Sequence, residues 1–196
     1  MKNYCITCIL FFITFLSYSQ TFDQKIEDLI NENLDETIKL RHWFHQNAEL
    51  SNREFKTAAR IAEELKKIGY EPMTGIAKTG VVAILNSGKP GPVVGLRADI
   101  DALPVKERAD IPWASKMKGI YNGEEVPVMH ACGHDMHTAI LLAAAKILYD
   151  IKDEIPGQVK FIFQPAEEGA PPGEEGGAEL MVKEGVLKNP DVDAIF

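Results

Sequence analysis

The sequence predicts an α/β domain: a mostly parallel central sheet flanked by helices on both faces. Three observations predict it. Helix-period apolar stripes alternate with short β-prone apolar runs, Gly and Pro turns separate them, and polar groups of metal-ligand type follow several of these elements. The 196 residues are 45% hydrophobic, enough for one domain with a sizeable core.

Residues 1–19 read apart from the rest. Lys2 precedes the apolar run Ile9, Leu10, Phe11, Phe12, Ile13, Phe15 and Leu16, and Ser17-Tyr18-Ser19 follows with small residues where a signal peptidase reads. The expectation is a signal peptide cleaved before Gln20, and a secreted or periplasmic mature protein without stable membrane insertion. A membrane anchor is the alternative, but the run is short for a hydrocarbon core and Thr7 and Thr14 interrupt it. Cleavage removes Cys5 and Cys8 and leaves Cys132 alone, so no internal disulfide can form.

The first mature helix is expected over residues 23–44, where Ile26, Ile30, Leu34 and Ile38 recur every fourth position and need a partner surface. A second opens with Ser51 and Glu54 as a capping box and Leu50 and Phe55 as a staple. Ala58, Ile61, Ala62, Leu65 and Ile68 line its inner side, and Gly69 supplies a left-handed end. Residues 81–85 and 93–96 are strands joined by a turn, expected to pair as antiparallel neighbours. Residues 136–149 are apolar nearly all round, which predicts a buried helix with Asp135 as N-cap. A strand follows at 159–163, a helix begins near Gly177, and a last strand starts near Val192. The chain ends inside that strand, so residues 20–196 are read as the N-terminal part of a longer catalytic domain.

Charge narrows the partners. Lys and Arg total 21 against 29 Asp and Glu, a formal charge of −8, without the basic stripe that phosphate neutralisation requires. No nucleic-acid partner is expected.

Three segments carry candidate chemistry, each near the end of an apolar element, where open α/β sheets form their ligand crevice. In Arg97-Ala98-Asp99-Ile100-Asp101, the two acids share a face of an extended chain and can both approach a cation, or one can support the other. In His130-Ala131-Cys132-Gly133-His134-Asp135-Met136-His137, a thiol and an imidazole flank a glycine that lets both reach one ion. The helix start there favours the thiolate. His137 lies one turn beyond His134 as ligand, substrate donor or support. In Gln164-Pro165-Ala166-Glu167-Glu168-Gly169, adjacent acids after a strand point in different directions, so one can bind metal while the other moves a proton. Simpler readings remain open: loop acids in water, Cys132 as a small buried hydrophobe, His130 or His137 as core polar groups, or a Cys–His nucleophile. His42 and His45 are assigned to packing and to the helix C-terminal dipole.

With these motifs in view, the sequence resembles the amidohydrolase branch of the co-catalytic metallopeptidases, which includes hippurate hydrolases, N-acyl-amino-acid amidohydrolases and auxin-conjugate hydrolases. The segment from Arg41-His42 through Glu49-Leu50-Ser51 shares the likeness, and the match covers nearly all of residues 20–196. The resemblance implies two divalent ions, manganese or zinc, with Cys132, His134 and Glu168 as ligands, Glu167 as general base and acid, and Asp101 as a supporting residue. Asp99 stands where many related peptidases have a ligand histidine. Two departures are Ala48 in place of the usual proline and a longer stretch at 118–125. Relatives carry two further ligand histidines beyond Phe196 and a smaller lid domain that often dimerises, so the 196-residue chain alone is expected to be inactive. The implied reaction is hydrolysis of N-acyl amino acids. The alternatives are a dipeptidase or carboxypeptidase with the same metal chemistry, or an exported binding module without turnover.

Overall fold

A computed structural model describes residues 21–196. The signal-peptide reading lies outside the described residues. Among those described, no helix is long and apolar enough to cross a membrane. In chain order the elements are α1 (Phe22–Gln46), α2 (Phe55–Ile68), β1 (Met73–Ile76), β2 (Gly80–Asn86), β3 (Val93–Asp99), β4 (Lys118–Tyr121), β5 (Glu124–Pro127), α3 (His134–Asp150), β6 (Gln158–Gln164), α4 (Gly177–Lys183) and β7 (Ala194–Ile195).

The main sheet runs β1-β2-β6-β3-β7, and β4-β5 form a separate hairpin. β3 pairs in parallel with both β6 and β7, while β2 is antiparallel to β1 and β6. The sheet is therefore mixed, with its parallel half at β6-β3-β7. Alternation along the strands sorts the core. Val81, Ala83, Leu85, Phe161 and Phe163 face α1, α2 and α3, while Val82 and Ile162 meet Met181 of α4 on the other side. Helices thus cover both faces. Ile61 and Leu65 of α2 are fully buried, each contributing about 1.5–3 kcal/mol of transfer free energy.

β2 and β3 are not neighbours, contrary to the sequence expectation. β6 lies between them, and the 87–92 connection crosses the start of β6 in backbone contact. Gln158 N–H donates to Pro92 O at 2.9 Å and Gly157 N–H to Lys89 O at 3.1 Å. A Cβ on Gly91 would come within 2.6 Å of Gly157 N, so only glycine permits this crossing. A turn-like linker between two apolar runs looks the same whether the strands pair or straddle a third.

The apolar stripe of α1 is also displaced. Leu40 and Phe44 are buried, but Ile30, Leu34 and Ile38 are 47%, 49% and 44% exposed. Steps of four residues drift by about 40° per turn from a helical repeat of 3.6, so the inner face alternates threes and fours. On α3, Ala139, Leu142 and Ala145 are buried while Met136 and Ile140 are about half exposed, so the helix is one-sided rather than enclosed.

Two caps differ from expectation. Glu54 stands at the N-cap of α2 but its side chain makes no capping bond. Glu49 takes that part, accepting from the amides of Lys56 at 3.2 Å and Thr57 at 2.9 Å. The N-cap of α3 is Gly133, left-handed at φ 96°, and Asp135 sits inside the first turn, buried. Gly69 ends α2 in the left-handed conformation at φ 118°, as its position predicts.

Candidate metal centre

β3 and β6 run in parallel with Asp99 opposite Gln164, so the chain leaves both strands at one edge of the sheet. Two short pairings bring the remaining segments there. Leu50 bridges Ala102, and Leu103 bridges Met129, which lays residues 49–51 and 129–134 on either side of Asp101. The left-handed Gly133 then turns the chain into α3 with His134 pointing inward and buried.

Cys132, His134 and Glu168 each offer a ligand atom, and these atoms lie within 4.8 Å of one another. Asp99, His134 and His137 form a second such group through the same histidine. His134 Nδ1 faces the carbonyl of Asp101 at 2.9 Å, which leaves Nε2 for a ligand. Nε2 lies 3.7 Å from Glu167 Oε2 and 3.9 Å from Glu168 Oε1. One imidazole nitrogen can bind one ion, so the two groups overlap rather than forming separate complete sites. A thiol, an imidazole and carboxylates within such reach suit a divalent metal, with the imidazole fixed through its other nitrogen.

Asp101 is the hub. It is buried, and its carboxylate accepts from Ser51 Oγ at 2.7 Å, Glu167 N–H at 3.1 Å and Glu168 N–H at 3.0 Å. Oδ1 also lies 3.4 Å from His134 Nδ1. Burial alone would raise its pKa, but the His134 and Ser51 hydrogen bonds and the two amides prevail and hold it below the usual carboxylate range. The same contact works in reverse. Burial lowers the His134 pKa, yet its bonds to Asp101 push it up to about 9; His134 would hold a divalent ion only in its neutral form.

Cys132 stands just before the Gly133 N-cap of α3. It is exposed, and a hydrogen bond to Glu168, burial and the charges of Glu168, Glu167 and Asp99 raise its pKa. The acid pair departs from divergence, since both carboxylates reach toward the same imidazole nitrogen. Only Glu168 joins the Cys132 group. Asp99 is paired with the Arg97 guanidinium, and Arg97 Nε also donates to Gln164 Oε1 at 2.6 Å.

The other histidines separate by environment. His130 is buried with neither ring nitrogen hydrogen-bonded among the described residues, and burial lowers its pKa to about 4. His45 has Nδ1 2.8 Å from Asp135 Oδ2 and Nε2 2.7 Å from Glu107 Oε2, while His42 stacks on Trp113 at 3.7 Å. His42 thus packs at the end of α1, whereas His45 is buried between two carboxylates, a polar network the sequence reading did not anticipate. Sequence reasoning missed Ser51, which donates to Asp101, and Glu54, whose Oε1 accepts from Ala166 N–H at 2.8 Å beside the acid pair. The Ser-x-x-Glu spacing that reads as a capping box was the available signal, but it pointed to the wrong partners.

The family model for peptidase family M20/M25/M40 matches residues 95–196. The chain is 44% identical over 174 residues to thermostable carboxypeptidase 2 of Saccharolobus solfataricus, covering 88% of this chain and 41% of that protein. It is 44% identical over 172 residues to the hippurate hydrolase of Campylobacter jejuni, covering 86% and 41%. Among solved structures, a Bacillus subtilis protein described as a dinuclear metal binding peptidase of the M20 family is 39% identical with a TM-score of 0.74, covering 85% and 43%. The chain spans about two fifths of the length of these curated relatives. On the match over residues 95–196, the chain belongs to peptidase family M20/M25/M40.

Proposed function

We propose that the protein hydrolyses the amide bond of N-acyl amino acids with two divalent ions, manganese or zinc, held in part by Cys132, His134 and Glu168. The observation that carries this reading is the convergence of those three ligand atoms within 4.8 Å, with Glu167 Oε2 beside the same imidazole at 3.7 Å. Likeness to a hippurate hydrolase supports the substrate class, since hippurate is an N-acyl amino acid. The solved relative's dinuclear metal supports a pair of ions. With residues 1–19 read as a signal peptide, the activity belongs to a secreted or periplasmic enzyme.

Divalent ions in such a site lower the pKa of water and polarise a carbonyl. The chain's own part is proton management and alignment. Glu167, with its side chain 40% exposed, is open to the crevice and accepts the proton of the attacking water. It then donates that proton to the leaving amine and regains its carboxylate form. Asp101 holds His134 Nδ1 and the amides of Glu167 and Glu168, so the proton carrier and the metal-binding carboxylate keep a fixed relation.

In the protein translated from the whole gene, Glu167→Gln is expected to remove turnover of N-acyl amino acids with metal content nearly unchanged. Glu168→Ala is expected to lower both. Normal turnover by the Glu167 variant refutes the proton role. A carboxypeptidase with the same chemistry is the second reading, favoured by the Saccharolobus relative. Comparing kcat/KM for N-acyl amino acids and for unblocked peptides separates the two.

A further inference from the structure

Three consecutive backbone amides after β6 end on buried carboxylates. Ala166 N–H donates to Glu54 Oε1 at 2.8 Å, Glu167 N–H to Asp101 Oδ1 at 3.1 Å, and Glu168 N–H to Asp101 Oδ2 at 3.0 Å. We propose that Glu54 is a positioning residue, which with Asp101 clasps this turn so that the side chains of Glu167 and Glu168 are directed toward His134.

Four observations support the assignment. Glu54 is fully buried, and its second oxygen accepts from Thr79 Oγ1 at 2.6 Å, just before β2. The carboxylate therefore ties the loop to the sheet. Ala166 has φ +50°, a left-handed conformation that a residue with a Cβ adopts at a cost, so the turn needs outside support. Glu54 caps no helix amide, because Glu49 serves α2 instead. A buried carboxylate is also costly in itself: burial raises the Glu54 pKa to about 7 despite its hydrogen bonds from Thr79 and Ala166. A position that tolerates that cost without serving its own helix is committed to the loop.

The inference rests on the proposed roles of Glu167 and Glu168, so its test has two readouts. Amide hydrogen exchange at residues 166–168 reports the clasp without any metal. Cobalt(II) titration of the chain, followed by visible absorption, reports whether the donors are in place. Glu54→Ala is expected to raise exchange at 166–168 ahead of the β2-β6 ladder and to weaken cobalt binding 10–100-fold, the usual effect of removing an outer support. Glu54→Gln keeps a carbonyl oxygen for Ala166 N–H and is expected to restore both. Thr79→Val, a milder change that frees only the second oxygen, is expected to move exchange in the same direction.

Unchanged exchange at 166–168 in both Glu54→Ala and Thr79→Val overturns the clasp. A uniform rise over the whole chain that Glu54→Gln does not reverse also overturns it, since Glu54 would then be a plain stability residue. If exchange responds as expected but the unsubstituted chain binds no cobalt, the clasp stands and the metal reading fails.

Discussion

Replacing Asp101 by Asn tests how the site is built, because shape is preserved while charge and one acceptor are lost. The carboxylate accepts from Ser51 Oγ, Glu167 N–H and Glu168 N–H. Asparagine keeps one carbonyl oxygen, and its NH2 group then faces at least one backbone N–H. That leaves a buried donor unpaired at about 1–3 kcal/mol, and the surviving bonds lose charge assistance worth about 1 kcal/mol more. Relief of the buried charge offsets about 1 kcal/mol of this, so a net loss of about 1–3 kcal/mol is expected. Urea unfolding followed by circular dichroism measures it. The same variant is expected to bind divalent metal 10–100-fold more weakly, because His134 and the acid pair lose their common anchor. A stability change under about 0.5 kcal/mol with unchanged metal affinity refutes the assignment of Asp101 as the hub.

Two further predictions concern the frame. Tyr70 Oη donates to Ala145 O at 2.8 Å in the core, so Tyr70→Phe is expected to cost about 1 kcal/mol, or about 2–4 °C in Tm by calorimetry. Glu54 titrates near pH 7 in the folded chain against about 4.5 as its ordinary value. The folded state then binds more protons than the unfolded state between those values, so stability falls as pH rises through the window, by about 3 kcal/mol at most. Denaturant midpoints from pH 4.5 to 7.5 measure this slope, and Glu54→Gln is expected to flatten it. An identical slope in that variant assigns the pH dependence to other groups.

How much of this was legible beforehand depends on the range of the interactions. The α2 core face and its glycine end were readable because they follow from local period and backbone freedom. The three chemical segments were readable because each joins unusual side chains to a strand or helix end. The β2-β6-β3 order was not, since sheet neighbours are fixed by contacts between segments about seventy residues apart, and a turn-rich linker suits either arrangement. The roles of Ser51 and Glu54 were hidden for a related reason. Their spacing satisfies a local motif, while their partners Asp101 and Ala166 are brought close only by the fold. The helix start beside Cys132 was visible in sequence, whereas the carboxylates of Glu168, Glu167 and Asp99 that raise its pKa are gathered there only by the fold.

The central claim is that Cys132, His134 and Glu168 converge on one ion. Adding cobalt(II) to the chain and recording the near-ultraviolet sulfur-to-metal charge-transfer band tests it most directly. The account predicts a saturable band that disappears in Cys132→Ala and weakens in Glu168→Ala. A chain that binds cobalt with no such band, or with one that persists without Cys132, contradicts it.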